Sequence, residues 1–176
     1  MNYADIKQYD VANGPGIRIS LFVSGCNHHC KGCFNEVAWD FQYGEEFDKC
    51  VEDKLIKMLE PSYIAGLTLL GGEPFEVVNQ KALLPFIKRV KETYPNKNIW
   101  AFTGYLFDKD LLNQSRARCE VTDELLTYID VLVDGPFILS KKDIALKFRG
   151  SDNQRIIDVK KSLSENKVIL IEELMK

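Results

Sequence analysis

Three cysteines, Cys26, Cys30 and Cys33, stand within eight residues of one another directly after an apolar run. That spacing constrains the chain more than any other feature. Residues 17–24 (IRISLFVS) read as a buried strand, so the thiols sit on a loop leaving a sheet. A C-x-x-x-C-x-x-C loop can wrap three thiolates around one face of a cube of iron and sulfide. A four-iron cluster ordinarily takes four cysteine ligands. Three leave one iron open to bind a substrate or cofactor and pass it an electron. The competing reading is a structural zinc knuckle with His28 or His29 as fourth ligand. Zinc sites commonly pair two close ligands with two distant ones. This chain has no second C-x-x-C, and its only two histidines both lie between the cysteines. The spacing favours the cluster and leaves the histidines as polar loop residues.

A length of 176 residues supports one domain with a sizeable core. The net charge of −3 argues against a nucleic-acid partner. No stretch is long and apolar enough to span a membrane, and residues 1–5 lack the basic and apolar regions of a signal peptide. The expectation is a cytoplasmic protein whose reduced thiols bind metal rather than pair as disulfides. Cys50 falls in a helical pattern and reads as a small packed residue, while Cys119 lies in a polar stretch and reads as partly exposed.

Strand-like and helix-like runs alternate. Strands are expected at 17–24, 66–70, 98–103 and 130–133, helices at 45–59, 79–94, 108–114 and 122–128, and extended segments at 155–159 and 168–171. This pattern predicts an α/β fold with a mostly parallel sheet and right-handed crossovers. In such sheets ligands bind at the carboxyl ends of the strands. The informative loops all fall there: the cysteine loop, Gly71-Gly72-Glu73-Pro74, Thr103-Gly104-Tyr105 and Asp134-Gly135-Pro136-Phe137. Gly71 and Gly72 suit a backbone that comes close to a ligand or takes positive φ. Glu73 adds a carboxylate suited to an ammonium group, and Pro74 stiffens the exit. The chain is too short for a complete (βα)₈ barrel. A partial, open barrel of about five to six mostly parallel strands would leave one side free to admit a protein segment.

With these loops in view, the chain resembles radical S-adenosylmethionine (SAM) enzymes. Among them it is similar to the glycyl-radical-enzyme activating family, in particular the activators of anaerobic ribonucleoside-triphosphate reductases. The resemblance rests on residues 13–18 (NGPGIR), 21–26 (LFVSGC), 30–35 (CKGCFN) with Trp39, 71–74 (GGEP), 99–105 (IWAFTGY), 131–137 (VLVDGPF) and 149–155 (RGSDNQR). It covers residues 3–158, which sets a radical SAM core at 1–158 apart from an extension at 159–176 expected to pack on it.

The resemblance implies that Cys26, Cys30 and Cys33 hold a [4Fe-4S] cluster and that the open iron chelates SAM. Gly71, Gly72 and Glu73, with Pro74 behind them, would meet the SAM ammonium, and Gly32, Cys33 and Phe34 would flank its adenine. Many radical SAM enzymes carry an aromatic residue where Gly32 stands. Phe34 or Trp39 is a substitute, with core packing as the competing role. Thr103 and Asp134 are candidates for ribose or methionine contacts, Asp134 equally for a turn. Arg18 and Arg149 are read as cations near the same rim, or as ordinary surface arginines.

The implied reaction is one-electron cleavage of SAM and removal of a hydrogen atom from a glycine of the large reductase subunit. The implied electron source is a low-potential donor such as flavodoxin or ferredoxin. The alternatives are an activator of pyruvate formate-lyase or another glycyl-radical enzyme, a radical SAM enzyme acting on a small molecule, and a non-enzymatic metal-binding module.

Overall fold

The computed structural model describes the whole chain, Met1–Lys176. Alternation along its strands sorts side chains onto two unlike faces of one sheet. In β2 (Ile17–Val23), Ile19, Leu21 and Val23 join a buried cluster of 27 residues, while Arg18 and Ser20 turn to the other side. In β4 (Ile64–Gly71), Leu67 and Leu69 enter that cluster, while Thr68 faces Arg18. In β5 (Asn98–Phe102), Ile99 and Ala101 go one way and Trp100 the other.

The large cluster is the main core. It takes Leu55 from α1 (Lys49–Met58), Leu83, Phe86, Ile87 and Val90 from α2 (Val77–Thr93), Leu125 and Leu126 from α3 (Thr122–Tyr128), and Val159 from α4 (Val159–Glu165). The helices therefore cover one face. The other face carries a small cluster of Trp100, Val133 and Ile156, against which Phe148, Ile171, Leu174 and Met175 pack.

The sheet has seven strands in the order β3-β1-β2-β4-β5-β6-β7 and does not close. The pairings β2·β4, β4·β5 and β5·β6 are parallel, with β6 at Val131–Asp134. The edges are antiparallel, which corrects the expectation of five to six mostly parallel strands. At one edge, β1 (Asn2–Asp10) pairs with β2 and with the short β3 (Glu45–Glu46). At the other, β7 (Arg155–Asp158) runs antiparallel to β6, because the chain between them returns as a long loop and not as a crossover helix.

Two expected helices also differ. Residues 45 and 46 pair with Tyr3 and Asn2, the Tyr3 hydroxyl donates to Glu45 (2.8 Å), and α1 begins only after the Asp48 carboxylate caps the Val51 N–H at 2.9 Å. The expected 108–114 helix is a π-helical turn at Phe107–Leu111, pinned where the Phe107 N–H donates to Asp134 and the Leu106 N–H to Asp110. Cys50, in the first turn of α1, is exposed and not packed, while Cys119 is half-buried as expected. Residues 168–171 form no ladder, only a single antiparallel bridge from Leu170 to Ile157.

Candidate active site

A cavity of about 510 Å³ opens where β2, β4 and β5 end and continues over the face opposite the helices. Cys26, Cys30 and Cys33 all line it, as do Gly32, Phe34, Gly71, Gly72, Glu73 and Thr103. Pro74 is buried behind this wall and Asp134 does not reach it.

The cysteine loop is held at both ends by backbone. The Gly25 and Cys26 N–H groups donate to the carbonyls of Ala38 and Trp39, and Cys33 N–H donates to Cys30. The GGEP segment is stapled to the same loop, with Gly72 N–H on the Val23 carbonyl (2.7 Å) and Glu73 N–H on the Gly25 carbonyl (2.8 Å). A side chain at residue 72 would place Cβ 2.6 Å from the Gly25 carbonyl oxygen and 2.8 Å from that of Ala38. The close approach that requires this glycine is therefore to the protein's own cysteine loop.

All five cysteines are unpaired thiols. Burial pushes the Cys26 thiol up to about 12, although the His28 and His29 N–H groups aim at its sulfur. Burial also raises Cys30, against a bond from the Phe137 N–H. Cys33 accepts from the Asn35 N–H at 3.4 Å. Three sulfurs on one cavity wall, one of them accepting a backbone N–H, fit an iron–sulfur cluster. The site suits zinc less well. His28 is bonded to Glu73, and His29 stacks on Trp39 with ring centroids 4.5 Å apart.

Glu73 is 1% exposed and joins three loops. Its Oε1 accepts from the Phe75 N–H (2.8 Å), and its Oε2 from the Gly104 N–H (2.8 Å) and His28 Nε2 (2.9 Å). Glu76 ties the same loops a second time, accepting from the backbone and side chain of Asn27 at 2.9 and 3.0 Å. Thr103 is buried and accepts the Tyr105 N–H through its hydroxyl. Phe34 is 82% exposed, so core packing is not its role, whereas Trp39 is half-buried on the cavity wall.

The two arginines part company. Arg18 is fully buried near the amino-terminal ends of the strands, bonded to Thr68, the Leu67 carbonyl and Asn98, with Trp100 at 5.5 Å. It is neither a rim cation nor a surface arginine. Burial pulls its pKa down to about 10. Arg149 lines the cavity, nearly buried, and donates to the carbonyls of Gln154 and Met175. The outer wall is Lys142, Asp143, Ile144, Leu146 and Phe148. No spacing in the sequence marked this stretch. Its only signal was the neighbouring residues 149–155.

The fold and the thiol loop define a protein of the iron–sulfur class: residues 12–157 match a family model described as a 4Fe-4S single cluster domain. Three curated relatives narrow this. The chain is 48% identical to the anaerobic ribonucleoside-triphosphate reductase-activating protein of Haemophilus influenzae, over 89% of this chain and 97% of that one. It is 45% identical to that of Vibrio cholerae (89% and 97%) and 42% identical to that of Escherichia coli (88% and 96%). The chain belongs to the family of anaerobic ribonucleoside-triphosphate reductase-activating proteins.

Proposed function

We propose that this chain is a radical SAM activase that generates a glycyl radical on an anaerobic ribonucleoside-triphosphate reductase. The observation that carries the reading is the convergence of Cys26, Cys30 and Cys33 with the GGEP loop on one cavity, in a chain whose relatives carry the activator's name. When bound, the reduced [4Fe-4S] cluster supplies the electron that cleaves SAM.

The protein's own residues do the rest. The three thiols hold the cluster, and the Asn35 N–H offsets charge on the Cys33 sulfur. Glu73 takes the SAM ammonium, and Gly71 and Gly72 bring backbone to the same wall. Gly32, Cys33 and Phe34 flank the adenine, and Thr103 contacts the ribose or methionine portion. Asp134 acts on the site only through the loop it braces, and Pro74 only through the bend it fixes.

The open sheet is read as a partial radical SAM barrel spanning residues 1–158. Residues 159–176 pack on it through Ile171, Leu174 and Met175 and through the Met175 carbonyl on Arg149. Exposed Phe34 and Ile144 (82% and 94%) line the cavity and leave it accessible to a glycine-bearing segment of the reductase large subunit. A low-potential donor such as flavodoxin or ferredoxin supplies electrons. The setting is cytoplasmic, in keeping with five unpaired cysteines, and no helix is long and apolar enough to cross a membrane.

The test is anaerobic reconstitution with iron and sulfide, reduction, and addition of SAM and the reductase subunit, read by electron paramagnetic resonance. A glycyl-radical doublet that vanishes in Cys30→Ala is expected. Bound zinc with neither cluster nor SAM cleavage would overturn the reading.

A further inference from the structure

Glu73 holds its charge in place with donors that are not arginine or lysine, and one of them is a side chain from the cysteine loop. An ionised carboxylate has about four acceptor positions. Three are filled, two at Oε2 by Gly104 N–H and His28 Nε2 and one at Oε1 by Phe75 N–H. No salt bridge from lysine or arginine reaches this carboxylate. One acceptor position on Oε1 remains, on a side chain that lines the cavity. Because an ionised carboxylate only accepts, the bond assigns the proton of His28 to Nε2.

The imidazole itself is fixed on two sides. Its ring meets Tyr105 edge to face at 4.4 Å, and the Arg116 guanidinium lies over the Tyr105 ring at 5.5 Å. Residue 104 has to be small for this to occur, since a Cβ there would fall 2.6 Å from His28 Cδ2 and 2.7 Å from Nε2. Gly104 thus supplies an N–H to Oε2 and room for the imidazole that shares it.

We propose that His28 is a positioning residue for SAM. It clamps the Glu73 carboxylate from the cysteine loop, so that the remaining Oε1 position stays aimed at the ligand's ammonium group. The inference rests on the activase reading and deepens it. The cysteine loop and the GGEP segment are already joined by backbone and by Glu76, and His28 adds the one link from that loop to the Glu73 carboxylate itself.

The experiment is equilibrium SAM binding to the full, anaerobically reconstituted chain, with iron per chain measured on each sample. His28→Ala is expected to load iron like wild type and bind SAM about tenfold more weakly, the scale of one hydrogen bond to a charged group. His28→Gln, whose amide can donate to the same oxygen, is expected to recover most of that affinity. Gly104→Ala, which crowds the ring out while keeping the backbone donor, is expected to weaken SAM as His28→Ala does. Unchanged SAM affinity in His28→Ala overturns the proposal. So does loss of iron in His28→Ala with wild-type SAM affinity in Gly104→Ala, which would make His28 a brace for the thiols alone. Wild-type protein that loads iron but binds no SAM would instead bring down the activase reading, and the proposal with it.

Discussion

Glu73, two residues beyond β4, and Asp134, the last residue of β6, are both buried carboxylates that accept three hydrogen bonds. Their donors differ. Glu73 is met by two backbone N–H groups and an imidazole. Asp134 is met by the Phe107 N–H and, across both oxygens, by the Arg155 fork at 2.9 and 2.6 Å. Arg155 also reaches Asp108, and the hydrogen bonds to Asp134 hold its guanidinium proton more tightly than usual. A carboxylate neutralised by an internal cation has finished its electrostatic work and braces the fold. A carboxylate held by dipoles keeps its negative charge for a cation that arrives from outside. Both stand on loops of the same rim, Glu73 as the candidate for the SAM ammonium and Asp134 as a candidate for the ribose or methionine portion or for a turn. Their wiring separates them.

Exchanging each acid for its amide tests that separation and carries the largest expected effects. Glu73→Gln is expected to weaken SAM binding about a hundredfold, because the ammonium loses its counter-charge and the amide nitrogen faces N–H donors. Its cost in stability is about 1–2 kcal/mol, from the mismatched donors. Asp134→Asn is expected to reverse the pattern. Stability falls by about 2–3 kcal/mol, below the full cost of breaking a buried pair because Asp108 still shares Arg155, and SAM affinity per folded molecule stays unchanged. Urea titration paired with SAM binding reads both. Equal SAM losses in the two variants would collapse the distinction.

The cysteine loop and the GGEP turn were legible because their chemistry is local: the residues that cooperate lie within a few positions of each other. The central strands were legible because each buries an apolar face at period two. The missed strand β1 lies next to the edge, with only the two-residue β3 outside it, and just Tyr3 and Asp10 of its residues are buried, so no apolar pattern announces it. The direction of β7 depends on how the preceding loop returns, which no local pattern encodes. The His28–Glu73 bond spans 45 positions. The sequence placed both residues on special loops but could not show that one clamps the other. Arg18 was misplaced for a related reason. A lone arginine is ordinarily exposed, and its burial here depends on Thr68 and Asn98, which arrive from two other strands.

Arg155→Lys sharpens the comparison at smaller scale. A lysine keeps the charge beside Asp134 but cannot span both carboxylate oxygens and reach Asp108 together. A loss of about 1–2 kcal/mol in unfolding free energy is expected, with SAM affinity per folded molecule unchanged. A loss as large as that of Asp134→Asn would mean that fork geometry, and not neutralisation, is what Asp134 requires.

The smallest effect concerns Asp108, the outer partner of Arg155, and shows itself in pH. Burial raises its carboxyl, but the hydrogen bond and charge of Arg155 outweigh this and leave it below the ordinary aspartate range. With the folded-state value depressed, the unfolded chain binds the extra proton first as pH falls. The stabilisation from this group is therefore complete above the unfolded aspartate value near 4, and is lost as pH drops through the lower folded value. Asp108 is 39% exposed, so solvent screening holds the contribution to a few tenths of a kcal/mol, at most about 1. Urea midpoints measured from pH 6 downward are expected to fall less steeply below about pH 4 in Asp108→Asn than in wild type, with the curves parallel above it. Parallel curves throughout would mean that Asp134 alone pairs with Arg155 in solution and that the rim brace is a two-residue unit.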